Sequence, residues 1–182
     1  MLLPDTWQKA IEHWKAKGLD FSRIFHQPAV GPEVSRFRCE DQDHGLDKAL
    51  DMRLIELAKD AIEGRAPVAI DMPIRNINRT VGTMLSGEIA RRWGHEGLPE
   101  SSSLQVRFAG SAGQSFGAFL SKGVTLSITG DTNDYCGKGL SGGRIIVQPS
   151  PKFRGEPAQN IITGNVVLFG AISGEAYFRG VA

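Results

Sequence analysis

Apolar and polar residues alternate in short bursts along the second half of the chain, and the bursts restart at nearly even spacing. Val106 and Phe108 form one burst, Val124, Leu126 and Ile128 a second, Ile145 and Val147 a third, and Val167 and Phe169 a fourth. Alternation with a period of two marks a strand with one buried face. The restarts at Val106, Val124, Ile145 and Val167 are 18, 21 and 22 residues apart, the last step spanning a proline-bearing insertion from Pro149 to Pro157. Glycines stand near every burst: Gly110 and Gly113, Gly130, Gly142 and Gly143, then Gly170 and Gly174. Glycine takes positive φ without penalty and lets one backbone approach another, which suits the corners of a coil. One short strand per period of about twenty residues predicts a solenoid of parallel β-helix type with about four coils. An antiparallel β-sandwich with glycine turns is the competing arrangement.

The first half carries a different period. Asp5 followed by Trp7, Ala10, Ile11 and Trp14 predicts a short capped helix that stops at Gly18. Residues 25–40 hold two prolines and no period, as an extended connector does. Leu46, Leu50, Leu54, Leu57 and Ala61 recur at helical spacing, and Gly64 closes the pattern before Pro67. Pro67 to Met72 reads as a strand, and Arg79 to Leu85 as a further strand candidate. Ser86 is positioned to cap a brief helix that places Ile89 and Trp93 on one face. The solenoid proper runs from Leu104 to the end. Its last apparent strand has no polar capping coil after it, so a partner or a further stretch of a larger polypeptide is expected at that end.

Composition narrows the classes of function. A net charge of +1 over 182 residues gives no electrostatic case for nucleic acid or an anionic membrane surface. The 22 glycines exceed ordinary usage, and the surplus falls mainly after Gly82, within the predicted coils. Two cysteines, Cys39 and Cys136, lie far apart in unlike contexts, which predicts free thiols and a cytoplasmic protein. The N-terminus lacks the basic and apolar regions of a signal peptide, and no uncharged run is long and apolar enough to span a membrane.

Candidate chemistry is sparse. Gly137 to Gly142, GKGLSG, fits the G-x-G-x-x-G dinucleotide fingerprint, but Arg144-Ile145-Ile146-Val147 reads as a strand where that fingerprint requires a helix. Asp131, Asn133 and Asp134 lack the spacing and distal Glu of a calcium loop and read as a corner held by side-chain to backbone bonds. His13, His26, His44 and His95 are scattered, with no metal-ligand spacing. Cys136 reads as a small buried coil residue. Ser115 and Ser141 lack a nucleophile-elbow pattern. The strands carry Arg107, Thr125, Ser127 and Arg144 without the clustered acids a sugar-cleaving β-helix would need. The expectation is a chain with no catalytic, cofactor-binding or metal-binding residue of its own.

Four long stretches then carry a resemblance: DQDHGLDKALD from Asp41, DMPIRNINRTVGTMLSGEIARRWG from Asp71, FAGSAGQSFGAFLSKGVTLSITGDTNDYCGKGLSGGRIIV from Phe108, and GNVVLFGAISGEAYFRG from Gly164. In this order they resemble the C-terminal GXGXG domain of the glutamate synthase large subunit, over about Asp41 to Ala182. LDFSRIFHQP, from Leu19, resembles the connector leading out of that enzyme's flavin-binding domain. The resemblance implies a mainly β fold, a right-handed, single-stranded parallel β-helix of GXGXG type preceded by short α-helices. It implies a division into residues 1–40, an N-terminal helix and connector, and 41–182, a β-helix domain ending short of the family's further coils. It also implies a role as a structural scaffold of an oxidoreductase in glutamate biosynthesis and ammonia assimilation. That enzyme turns glutamine, 2-oxoglutarate and reductant into two glutamates, drawing its electrons from NADPH or ferredoxin. The implied partners are the amidotransferase domain, the FMN synthase domain and a small NADPH-dependent subunit, with FMN and an iron–sulfur cluster held in neighbouring domains. The alternative is a free-standing GXGXG subunit of an N-methylglutamate synthase-like or formylmethanofuran dehydrogenase-like complex.

Overall fold

The computed structural model describes residues 12–15, 20 and 22–182, in two compact units, Met1–Asp43 and His44–Ala182. The helix expected after Asp5 lies outside the described residues. In the first unit a single helical turn, α1 (Ser22–Phe25), leads into an exposed loop. Arg36 closes that loop, donating from Nη1 to Gln27 Oε1 at 2.7 Å and from Nη2 to the Pro28 carbonyl at 2.8 Å. The two prolines and absent period therefore give a loop pinned by one guanidinium and not a plain extended linker.

The second unit begins with a short 3-10 turn (Leu46–Lys48), then α2 (Leu50–Leu57) and α3 (Lys59–Ile62). After β1 (Val68–Ile74) comes α4 (Thr83–Trp93), and then four further strands: β2 (Leu104–Ala112), β3 (Val124–Thr132), β4 (Ser141–Gln148) and β5 (Ser173–Phe178). They form one sheet in the order β1-β2-β3-β4-β5, with every neighbouring pair parallel. Sequential order with parallel pairing requires the chain to return after each strand to start beside it, which is why a long connection follows each one.

Register converts the alternation into a core. One inward row is Met72, Phe108, Ile128, Val147 and Phe178; the next is Ile70, Val106, Leu126, Ile145 and Ala176. A slip of one residue would turn a whole row to solvent, so the apolar pattern fixes the pairing. Leu104, Val106, Leu126, Ile128 and Ile145 have no exposed surface. Phe108 and Phe116 meet edge to face, with ring centroids 5.6 Å apart. β1 is the edge strand at one end, and Pro73, which lacks a ladder donor, sits there as edge strands permit. From Leu104 to Val124 the repeat is 20 residues, while α4 lengthens the step from β1 to β2 and a loop of residues 149–161 lengthens that from β4 to β5.

Helices α2 and α4 pack together beside the sheet through Leu54, Leu85 and Ile89, all fully buried, and Trp93 Nε1 donates to the Ile62 carbonyl at 2.8 Å. Three expectations need correction. The helix over Leu46–Ala61 is broken at Ala49 and Ala58, leaving Leu46 and Leu57 exposed. Arg79 to Leu85 holds no strand: Thr80 is left-handed, and α4 already begins at Thr83, with Ser86 inside it donating to the Gly82 carbonyl. Val167 and Phe169 lie in a turn, and the strand comes later, at Ser173.

Candidate functional site

The glycine-rich turns are the feature most suggestive of a site, and they stack. After β2, residues Ser115, Gly117 and Phe119 take left-handed φ at alternate positions; after β3, Tyr135, Gly137 and Gly139 do so; in the next coil, Val166, Leu168 and Gly170. Alternating right- and left-handed residues turn successive N–H groups into a concavity that elsewhere binds anions. Here those donors are spent on the neighbouring coils. Ser115 N–H donates to the Asp134 carbonyl at 2.8 Å and Phe119 N–H to that of Lys138 at 2.8 Å. Gly137 donates to Phe116, Gly139 to Phe169 and Leu168 to Cys136, each at 2.8 Å. The turns thus form a second hydrogen-bonded ladder, running coil to coil as the sheet does.

The fingerprint Gly137–Gly142 falls in this ladder. A Cβ on Gly137 would stand 2.6 Å from Leu168 Cδ2, and one on Gly139 2.5 Å from the Phe119 ring, so the space beside both glycines is taken by side chains of the neighbouring coils. Strand β4 starts at Ser141, with no helix to meet a pyrophosphate. Asp134 Oδ1 accepts from the Asn165 amide at 2.8 Å, and Asn133 Nδ2 donates to Asn76 Oδ1 at 3.0 Å, so two of the three oxygen-bearing residues hold coil corners together. Ser141 Oγ donates to the Gly139 carbonyl at 2.7 Å, and Ser115 is a left-handed corner residue. His95 is exposed, with Nε2 2.9 Å from Glu96.

Cys136 is sealed in the core beside a buried hydroxyl pair, Thr132 Oγ1 donating to Thr163 Oγ1 at 2.7 Å. Burial pushes its thiol up to about 11, with the Thr132 and Thr163 side chains pulling the other way. A thiol so placed is neither a nucleophile nor a metal ligand at neutral pH. Cys39 is exposed in the first unit, its thiol donating to the Phe37 carbonyl at 3.1 Å.

Asp51 is the polar residue that sequence reasoning passed over. Its carboxylate lies buried at the N-terminus of α4 and accepts from the amides of Gly82 at 2.8 Å, Met84 at 2.8 Å and Leu85 at 3.1 Å. Gly82, the residue preceding the helix, has no side chain to cap it, so α2 supplies the cap from 31 residues away. Burial pushes the Asp51 carboxyl above the ordinary range, while the amides of Gly82, Leu85 and Met84 pull it down. The one local sign was an aspartate at the start of an amphipathic helix, which reads equally well as a solvent-facing residue.

Outside, the sheet carries ion pairs between rungs: Arg107 with Asp71, two bonds of 2.7 Å, and Arg144 with Glu175 at 2.7 Å. Among the described residues no helix is long and apolar enough to cross a membrane.

A parallel five-stranded sheet whose connecting turns stack by alternate left-handed residues defines the class of fold, and its family follows from sequence. The chain belongs to the GXGXG motif family, whose model matches residues 51–182. It is 47% identical over 96% of its length to the glutamate synthase [NADPH] large chain of Bacillus subtilis, covering 11% of that protein. It is 46% identical over 92% of its length to the glutamate synthase [NADH] of Schizosaccharomyces pombe, covering 8% of it. It is 47% identical over 59% of its length to ferredoxin-dependent glutamate synthase 2 of Synechocystis, covering 7%. The chain thus spans about a tenth of the length of its relatives.

Proposed function

We propose that the chain is a structural domain of a glutamate synthase, a right-handed parallel β-helix against which the amidotransferase and FMN synthase domains pack, with no chemistry of its own. The observation that carries this reading is the internal use of the corner amides. Within the stretch that fits a dinucleotide fingerprint, Gly137 to Ser141 donate their backbone N–H groups to carbonyls of the same coil stack. The chain matches only 8–11% of the length of these relatives, which supports placing this segment inside a much longer enzyme with other domains. The proposal includes a cytoplasmic setting, supported by two free thiols. It also includes electrons delivered through a small NADPH-dependent subunit to the FMN domain.

The enzyme's two cofactors do not fit this chain's own residues. An iron–sulfur cluster needs several thiolates in one place, whereas one cysteine is exposed in the first unit and the other is sealed in the core of the second. The glycine turn that could cradle a flavin phosphate has its donors committed. Both groups are therefore assigned to neighbouring domains, and no catalytic residue is assigned here.

The test is direct. The purified 182-residue chain is expected to hydrolyse no glutamine and to form no glutamate from 2-oxoglutarate, whatever the reductant. Glutamine hydrolysis by that chain would sink the scaffold reading. In the complete polypeptide, Gly130→Val is expected to uncouple glutamine hydrolysis from glutamate synthesis. Unchanged coupling in a variant whose coil stack has been disrupted would also overturn it.

A further inference from the structure

The stacked corners hold large side chains in a backbone conformation that works against them. Tyr135 (φ 61°) and Val166 (φ 59°) take equivalent places in successive coils, joined by the Tyr135 N–H bond to the Asn165 carbonyl at 2.9 Å, and Phe119 (φ 55°) takes the place that Gly139 and Gly170 hold in the next two. Left-handed φ presses Cβ against the following carbonyl, and a β-branched residue such as Val166 is a marked outlier there. Glycine occupies such a corner without strain. At Leu168, also left-handed, the strain has an internal offset, because the side chain packs against the core beside Gly137. Tyr135, Val166 and Phe119 remain 39%, 46% and 50% exposed, so much of each side chain has no such offset within the chain. Around them the apolar surface widens: Phe169 is exposed in the third corner, and Ile172 lines one groove with Phe119. Five large side chains thus form a strip across three coils, of the kind that marks an interaction surface. A cation is set into it. Lys138 Nζ lies 5.8 Å from the centre of the Tyr135 ring, and among the described residues its ammonium forms no ion pair. The carboxylate nearest to it along the chain, Asp134, accepts from the Asn165 amide at 2.8 Å.

We propose that this corner strip is the docking face for a neighbouring domain of the same polypeptide, which meets Phe119, Tyr135, Val166, Phe169 and Ile172 with apolar side chains and Lys138 with a carboxylate. Charge complementarity sets the carboxylate, since an ammonium covered by an apolar contact is costly unless it is paired. Length sets the source. The chain matches 8–11% of its relatives, so most of such a polypeptide lies outside this segment, and a domain on the same polypeptide is held beside the strip at high effective concentration. The identity of the partner rests on the scaffold reading; which face is covered rests on the strained corners.

Hydroxyl-radical footprinting of the 182-residue chain and of the complete polypeptide tests it, with the fully buried Phe116 as the check on folding. Phe119, Tyr135 and Phe169 are expected to label at least about five-fold more slowly in the complete polypeptide, because the core of an interface is packed like a protein interior. Lys138→Glu in the complete polypeptide is expected to restore the labelling by setting like charges face to face. The 182-residue chain is expected to sediment as a monomer. In it, Tyr135→Gly and Val166→Gly should leave the melting temperature level or raise it, since glycine relieves the strain. Equal labelling in the two contexts would overturn the proposal, as would protection that survives Lys138→Glu. So would protection in the 182-residue chain together with the mass of a dimer, which makes a second copy the occupant. A fall of more than about 5 °C in both glycine variants would overturn it too, by showing that the side chains are held from within. Glutamine hydrolysis by the 182-residue chain, by contrast, removes the scaffold reading and leaves the footprint as it stands.

Discussion

The middle rungs and the last rung of the same sheet are built from the same plan and end in different states. In β3, Leu126 and Ile128 are wholly buried, with β2 on one side and β4 on the other. In β5 the corresponding positions, Ala176 and Phe178, are only partly buried, and Ile172 just before the strand is 83% exposed. The difference is one of neighbours. Each coil covers the next, so a rung's burial is set by how many coils flank it, as expected of a quasi-one-dimensional stack. The residues that look alike along the sequence are therefore unequal in energy.

The sharpest way to break this comparison is a backbone contact between middle coils. A Cβ on Gly130 would lie 1.7 Å from the Gly110 carbonyl oxygen, and neither backbone can yield without parting β2 from β3. Gly130→Ala is expected to leave the chain unfolded or weaker by more than about 4 kcal/mol. Gly170, in the last corner, is left-handed but has nothing within 4 Å, so Gly170→Ala carries backbone strain alone, about 1 kcal/mol. Chemical denaturation of the two variants measures the gap. Next in size, Leu126→Ala opens a cavity in the middle rung and is expected to cost about 3–4 kcal/mol, against about 1–2 kcal/mol for Phe178→Ala in the last. Equal losses would mean that position in the stack does not govern burial energy.

The same contrast explains what the sequence could reveal. The bursts at Val124 to Ile128 and at Ile145 and Val147 were legible because their inward positions are all apolar and, Ile146 apart, their outward neighbours are polar. The burst at Val167 and Phe169 misled because a corner of alternate left-handed residues also has a period of two, with Val166, Leu168 and Gly170 marking it. The real strand nearby, Ser173–Phe178, shows a faint pattern, since its first inward row is filled by Ala176. Glycines at corners could be foreseen, but the corner roles of Ser115, Phe119 and Tyr135 could not, because those residues have no intrinsic preference for positive φ.

Asp51 lies at the opposite end of the stack from β5 and sharpens the comparison there, where helices and not a further coil do the covering. Asp51→Ala removes the only side-chain acceptor, among the described residues, of the Gly82, Met84 and Leu85 amides and leaves buried donors unmet. A loss of about 2 kcal/mol is expected, with Asp51→Asn recovering part of it because an amide oxygen still accepts. Amide exchange localised to residues 82–85 checks the mechanism. Exchange raised uniformly through β2 to β4 instead would mean that Asp51 acts through the sheet and not through the helix terminus.

Cys136 tests whether the seam between the third coil and the next is closed. The thiol is fully buried beside Thr132 and Thr163, one from each coil, and burial holds it at about 11 against an ordinary value of 9.0. The folded pKa is the raised one, so the native state keeps its proton at a pH where the unfolded chain has lost it. Stability is unaffected below about pH 9 and declines above it, by about 1.4 kcal/mol at pH 10, the worth of one pKa unit. Cys136→Ala is expected to remove that part of the decline while the remaining slope persists. In the native chain an aromatic disulfide reagent at pH 8 should modify Cys39 promptly and reach Cys136 only at the rate of unfolding. Prompt modification of both thiols would show the seam to be open, and the unequal burial of the two ends would then extend one coil further into the stack.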